Sequence, residues 1–145
     1  MNLERIVNVI FEKYMLTKNR YYHLSGEILD ASIAVHCAMG LGLLEGVYQQ
    51  CLLFELRSRD LVIESTVIIP LIYKGNVLNK QYVADIIVEN EIILELKAVE
   101  EILPVHEAQL ISYLRLADKR LGFLINFNVS LLKNGFRRFV NNFSD

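Results

Sequence analysis

Three charged side chains stand where a buried strand should be apolar. Asp85 interrupts Val83-Ala84-Asp85-Ile86-Ile87-Val88, and Glu95 and Lys97 interrupt Ile92-Ile93-Leu94-Glu95-Leu96-Lys97-Ala98. Apolar residues occupy both parities of these two runs, the pattern of a sheet covered on both faces. A carboxylate buried in such a sheet needs a partner or a metal. If Glu89-Asn90-Glu91 is a three-residue loop, Val88 faces Ile92 and the register carries Asp85 opposite Glu95. Cross-strand neighbours have Cβ atoms about 4.5–5.5 Å apart, close enough for two carboxylates to share a divalent cation. The strand period of two sets Lys97 on the same face as Glu95. Such a patch suits phosphodiester hydrolysis: a metal orients and acidifies a water, and the lysine positions that water or neutralises the phosphate. The same spacing would also serve a salt bridge from Lys97 to either acid at a strand end.

A helical stretch downstream offers support. Gln109 and Tyr113 lie four apart and share one face, His106 lies three before Gln109, and Leu110, Ile111, Leu114 and Ala117 form the opposite face. A solvated polar stripe would look the same. Residues 114–140 are basic: Arg115, Lys119, Arg120, Lys133, Arg137 and Arg138 stand against Asp118 alone. Arg115 and Lys119 are expected to border the cleft. The formal charge of −2 argues against coating nucleic acid by charge alone but is compatible with a local basic rim.

The elements that must position these residues follow from period and punctuation. The 145 residues suit one domain, and 53% hydrophobic against 22% charged residues exclude a disordered chain. The longest apolar runs are about six residues, far short of the twenty a membrane helix needs. Leu3, Ile6, Val7, Ile10, Phe11 and Tyr14 predict an amphipathic helix over 3–15. Residues 16–24 have no period and read as a linker. Ser25 is a candidate N-cap for a helix to Met39, stopped by Gly40 and Gly42. A further helix runs from Leu43 to Arg59. Strands are expected at 66–73, 81–88 and 92–98, a helix from Pro104 to Ala117, and a buried strand at 121–127. Residues 136–140 read as a terminal strand or short helix. Cys37 and Cys51 lack zinc-ligand spacing and read as buried thiols. With neither a disulfide framework nor a signal-like amino terminus, a cytoplasmic location is expected. No G-x-S-x-G elbow or strand-borne glycine-rich loop is present.

Several of these residues carry a resemblance. Gly42-Leu43-Leu44-Glu45-Gly46-Val47-Tyr48 matches the GxxExxY signature of a family of small bacterial proteins. Ala84-Asp85, Glu95-Leu96-Lys97 and Gln109-Leu110-Ile111-Ser112-Tyr113 resemble the D…ExK and QxxxY motifs of the PD-(D/E)xK nuclease superfamily, in its RecB-like branch. The resemblance covers about Leu24 to Phe139. It implies an α/β (α+β) fold with a restriction-endonuclease-like core: a mixed sheet of about four strands flanked by helices, in αβββαβ order, with an extra N-terminal helix. The nuclease-like domain would then span 24–145, with 1–23 as helix and linker. Glu45, Asp85 and Glu95 look like metal ligands for Mg²⁺ or Mn²⁺, and Lys97 like the catalytic lysine. Gln109 and Tyr113 resemble residues that steady the site and touch the nucleic-acid backbone, with His106, Arg115 and Lys119 beside them. The partner implied is nucleic acid, DNA above RNA. The rival expectation is a nuclease fold kept as a silent binding or scaffold module. The stripe on the first helix must pack on something, and a homodimer through residues 1–15 is the expected use.

Overall fold

The structure, a computed structural model, describes residues 2–142. Two helices come first, α1 (Leu3–Met39) and α2 (Glu45–Ser58), then three strands, β1 (Ile63–Tyr73), β2 (Asn76–Val88) and β3 (Ile92–Lys97). Helix α3 (Pro104–Leu116) crosses to β4 (Leu121–Asn126), and a short 3₁₀ turn, Leu132–Gly135, leads into β5 (Phe136–Val140). The five strands lie in the order β1-β2-β3-β4-β5. Only the β3–β4 pair is parallel, as the intervening helix requires. On one face Ile86, Val88, Leu94, Leu96, Phe123 and Ile125 pack with Ile28, Val35, Tyr48 and Leu52 from α1 and α2. On the other, Ile87, Ile93 and Leu124 pack under Leu110, Tyr113 and Leu114 of α3. Residues 136–140 form a fifth strand where a strand or a short helix was expected.

The linker expected at 16–24 is helix, so α1 is continuous from Leu3 to Met39. Tertiary packing overrides the weak local period here: Tyr21 and Leu24 are buried against the sheet. The polar residues of the stretch stay within the helix. Ser25, expected as an N-cap, instead donates its hydroxyl to Tyr21 O at 2.6 Å, and Thr17 does the same to Lys13 O at 3.0 Å. The cap that forms is Asn2, whose Oδ1 accepts from Glu4 N–H at 2.9 Å. Three ion pairs tie the helix down. Arg20 meets Glu91 in the β2–β3 turn at 3.0 Å, and Arg59 at the end of α2 meets Asp30 at 2.8 Å and Glu27 at 3.2 Å. Ahead of Arg20 the helix overhangs the domain, with Leu3, Val7, Ile10 and Phe11 exposed.

Strand β2 starts five residues earlier than expected, at Asn76. Lys74 and Gly75 have φ of 49° and 79°, the two positive values that a tight hairpin turn of type I′ needs, so β1 and β2 pair up to the turn. The alternation of faces breaks once. Ala84 and Ile87 both belong to the α3-side core, whereas Ile86 and Val88 belong to the other. Across from Asp85 sits Thr66, a β-branched residue with φ of 54°. The ladder pairs Ser65 with Ile86 and Val67 with Ala84 and skips the position between. The pleat therefore changes hand at Thr66 and Asp85.

After Lys97 the chain is held by Asn126, a buried polar residue at the end of β4. Its amide donates to Val99 O at 2.9 Å, and its Oδ1 accepts from Val99 and Asn128 N–H at 3.1 and 3.2 Å. Gly135 lies directly on this residue: a Cβ there would collide with the Asn126 backbone oxygen. Gly135→Ala should therefore cost about 1–3 kcal/mol, the usual range for overpacking a rigid site, read as a lowered urea midpoint at unchanged slope.

Candidate active site

The β2–β3 register is the one the loop length predicts: Val88 pairs with Ile92, Ile87 with Ile93 and Ile86 with Leu94. One step further, at Asp85 and Glu95, backbone pairing stops and side chains take over. The Glu95 Oε1 accepts from Asp85 N–H at 3.1 Å, and the Asp85 Oδ2 accepts from Leu96 N–H at 2.8 Å. Each carboxylate thus satisfies a backbone donor of the opposite strand, which holds the two acids together as the strands separate. Gln49 of α2 completes the point of divergence, donating its amide to Asp85 O at 3.1 Å.

Glu45 reaches the same place from the other layer. Gly42, at φ of 95°, takes a conformation that costs glycine little. The Tyr48 hydroxyl staples the α1–α2 loop, donating to Gly40 O at 2.6 Å and accepting from Leu43 N–H at 3.1 Å. The Tyr48 ring stacks on Phe127 with centroids 4.6 Å apart and planes 7° from parallel. Phe127 N–H in turn donates to Lys97 O at 2.9 Å. The glycine and tyrosine of the G-x-x-E-x-x-Y run therefore shape and anchor the loop that begins α2 at Glu45, and tie it to the strand end that carries Lys97.

On the α3 side, Gln109 donates to the Tyr113 hydroxyl at 2.7 Å, and the Tyr113 ring meets Tyr82 of β2 at 5.0 Å. Strand alternation puts Glu95 and Lys97 on this face, in step with Ile93.

Electrostatics bind the group into one unit. Burial, then the Asp85 charge, pushes the Glu95 carboxyl up to about 8. Burial also raises Asp85 and Glu45, each opposed by the Lys97 ammonium. Tyr113 is raised by burial and by Glu95. Three carboxylates face one lysine, so the site is short of positive charge. Hard oxygen donors lacking countercharge fit a divalent cation such as Mg²⁺. Among the described residues, no three acidic, histidine or cysteine side chains are already gathered as a metal cluster; one oxygen each of Asp85 and Glu95 is engaged with backbone instead.

Lys119 sits elsewhere. Lys119 donates to Asn90 at 2.7 Å in the β2–β3 turn, at the start of β3, whereas Lys97 is at its end. The cause is the crossover: α3 runs back along the sheet, so Lys119, in the turn after its carboxyl end, lies away from the site. His106 caps α3 by accepting from Leu103 N–H at 3.0 Å. Arg137 pairs with Glu107 in the first turn of α3, at the opposite end of that helix from Lys119. Sequence reasoning passed over Gln49, Asn126, Tyr82 and Thr66. Gln49 follows Glu45 by four and so shares its helix face, and Asn126 is the one polar side chain in Leu-Gly-Phe-Leu-Ile-Asn-Phe; both signals were readable.

A family model described as the PD-(D/E)XK nuclease superfamily matches residues 22–139. The chain belongs to that superfamily, and its five-stranded mixed sheet flanked by helices is consistent with the restriction-endonuclease-like fold. Membership suggests nuclease activity, implies nucleic acid as partner, and brings a general use of divalent metals. Neither the curated proteins nor the solved structures contain a significant match to the chain.

The raised Glu95 carboxyl makes a prediction with a definite sign. The folded protein holds this proton up to about pH 8, whereas the ordinary value is 4.5. Between those values the native state binds more protons than the unfolded chain, so this group's contribution to stability falls as pH rises. In metal-free buffer, Glu95→Gln should be more stable than the parent by about 1–3 kcal/mol above pH 8. The gap should close toward pH 4.5, measured by denaturant unfolding across that range.

Proposed function

We propose that this protein is a metal-dependent nuclease of the GxxExxY group, in the RecB-like branch of its superfamily, hydrolysing phosphodiester bonds in DNA. The observation that carries this reading is the cross-bonded pair Asp85 and Glu95 with Glu45 and Lys97 at one strand end. Asp85, Glu95 and Glu45 would hold Mg²⁺ or Mn²⁺. A cation held there would supply Lewis-acid activation of the attacking water and the scissile phosphate. Lys97 is the catalytic ammonium, orienting that water or countering charge that develops on the phosphate. Gln109 and Tyr113 steady the α3 side of the site. The nuclease unit is residues 24–145, and its setting is the cytoplasm. No helix among the described residues is long and apolar enough to cross a membrane.

A homodimer through α1 is the accompanying proposal. Leu3, Val7 and Ile10 continue the 3-4 spacing of the buried Tyr21, Leu24, Ile28, Ala31 and Val35. The overhang, roughly 27 Å long at 1.5 Å per residue, thus repeats outside the domain the face that packs inside it.

Cleavage of single- and double-stranded DNA and RNA with Mg²⁺, Mn²⁺ or chelator tests the activity. Cleavage of DNA should need the metal, and Lys97→Ala should lower it by roughly 10²–10³-fold with unchanged circular dichroism. Metal-dependent cleavage undiminished in Lys97→Ala would remove the lysine from the mechanism, and no cleavage by the parent would favour the scaffold reading. Calorimetry should show Mg²⁺ raising the parent's melting temperature but not that of Asp85→Asn. In sedimentation the parent should run as a dimer and Val7→Asp/Ile10→Asp as a monomer.

A further inference from the structure

We propose that the β1–β2 hairpin beyond Asp85 is a nucleic-acid-binding arm that carries the substrate path outward from the candidate site. The proposal rests on the nuclease reading for the kind of partner. Asp85 is itself a β2 residue, and from Asn76 to Ala84 the strand pairs with β1 alone, because β2–β3 pairing begins at Ile86. At about 3.3 Å per residue the β1 stretch from Thr66, across from Asp85, to Tyr73 puts the turn roughly 20–25 Å past Asp85. The arm stays a two-stranded ribbon to the tight turn at Lys74 and Gly75, with one shift of register between Pro70 and Ile72.

The root of the arm lies on the site's face. Tyr82 meets Tyr113, and Ile69 and Ala84 join the α3-side core. Glu95 and Lys97 belong to the same side. Lys80 stands two residues beyond Tyr82, where the ladder shifts register between Pro70 and Ile72, and Tyr73 pairs with Asn76 at the tip.

Charge and exposure indicate what would lie along it. The chain has 17 acidic residues and a net charge of −2, yet none of those acids falls between Glu64 and Asp85, where the charges are Lys74 and Lys80. Lys74 Nζ sits 5.4 Å from the Tyr73 ring centroid, so a cation and an aromatic face are offered together at the tip. Tyr73 and Ile72 are each 61% exposed and Val77 75%. Lysines that meet phosphates beside exposed rings that stack on bases are the recurring equipment of nucleic-acid channels. The domain core does not use these side chains.

The test is fluorescence anisotropy of the full chain in chelator, with labelled single-stranded and duplex DNA and RNA of about 30 nucleotides, over a salt series. Lys74→Glu/Lys80→Glu should weaken binding about tenfold or more and lower the log–log salt slope by about 1.5–2. Lys74→Arg/Lys80→Arg should bind like the parent. Tyr73→Ala should weaken binding several-fold without changing the slope. Lys13→Glu/Lys18→Glu, an equal charge change on the α1 overhang, should have little effect. The arm is refuted if the hairpin charge reversal binds like the parent, if the α1 pair costs as much, or if the parent binds no oligomer. It is also refuted if the hairpin reversal shifts only sedimentation, which would make the arm a contact between copies. Mg²⁺-dependent cleavage by the parent reports separately on catalysis: hairpin-dependent binding without cleavage would sustain the arm and sink the nuclease reading.

Discussion

The site depends on two strands that stop pairing one residue before they would otherwise continue. At Asp85 and Glu95 the ladder's backbone bonds give way to carboxylates, each accepting from the other strand. An unpaired backbone donor at this depth would cost more than a typical net hydrogen bond contributes, so the acids serve the fold by being there. That arrangement also places two charges of one sign side by side under helix α3. The Glu95 proton answers that constraint in the metal-free protein, and a divalent cation would answer it in the metal-bound form. Thr66, in a left-handed conformation across from Asp85, marks where the sheet accommodates the divergence. Strained β-branched residues of this kind persist where surrounding structure over-determines them.

Everything else in the centre is positioned by short relays onto that strand end. From Gly40 and Leu43 through the Tyr48 hydroxyl, the Tyr48–Phe127 stack and the Phe127–Lys97 backbone bond, α2 is registered against β3. Asn126 holds the chain immediately after Lys97, and Gly135 lets the last turn lie on Asn126. None of these residues carries charge. Their contribution is that Glu45 from one layer and Glu95 from the sheet stay in mutual range while the strand ends in a loop.

The sequence was informative where local chemistry decides. Loop length alone sets the Val88–Ile92 pairing, because a three-residue turn leaves one register that buries Ile86 and Leu94. The glycines after Met39 and the proline at position 104 mark real helix boundaries. It was uninformative where packing decides. Residues 16–24 contain Asn, Arg and two Tyr with no period, yet Tyr21 and Leu24 find the sheet and the stretch is helix. The early start of β2 at Asn76 is hidden because Val77, Leu78 and Lys80 are exposed and pack in no core. Lys119 is close to Tyr113 along the chain, yet the direction in which α3 runs carries it to Asn90 and away from the cleft. Glu45 illustrates the division: its spacing is that of an ordinary helical acid, and only the motif around it, or the fold, brings it near Lys97.

The face reversal at Thr66 and Asp85 separates the sheet into two mechanically distinct parts. Below it, a shift of one residue would move apolar side chains out of both cores at once. Above it, few buried side chains resist change. Beyond Ile69 and Tyr82, which pack on the α3 side, removing or inserting one facing pair of residues at a time would swap which surface holds Tyr73, whereas two pairs would restore it. The ribbon could therefore be lengthened or shortened in increments of two pairs with its chemistry still turned the same way, leaving the layer beneath undisturbed. Reach is thus an adjustable dimension of this architecture, while the geometry around Asp85 and Glu95 is not.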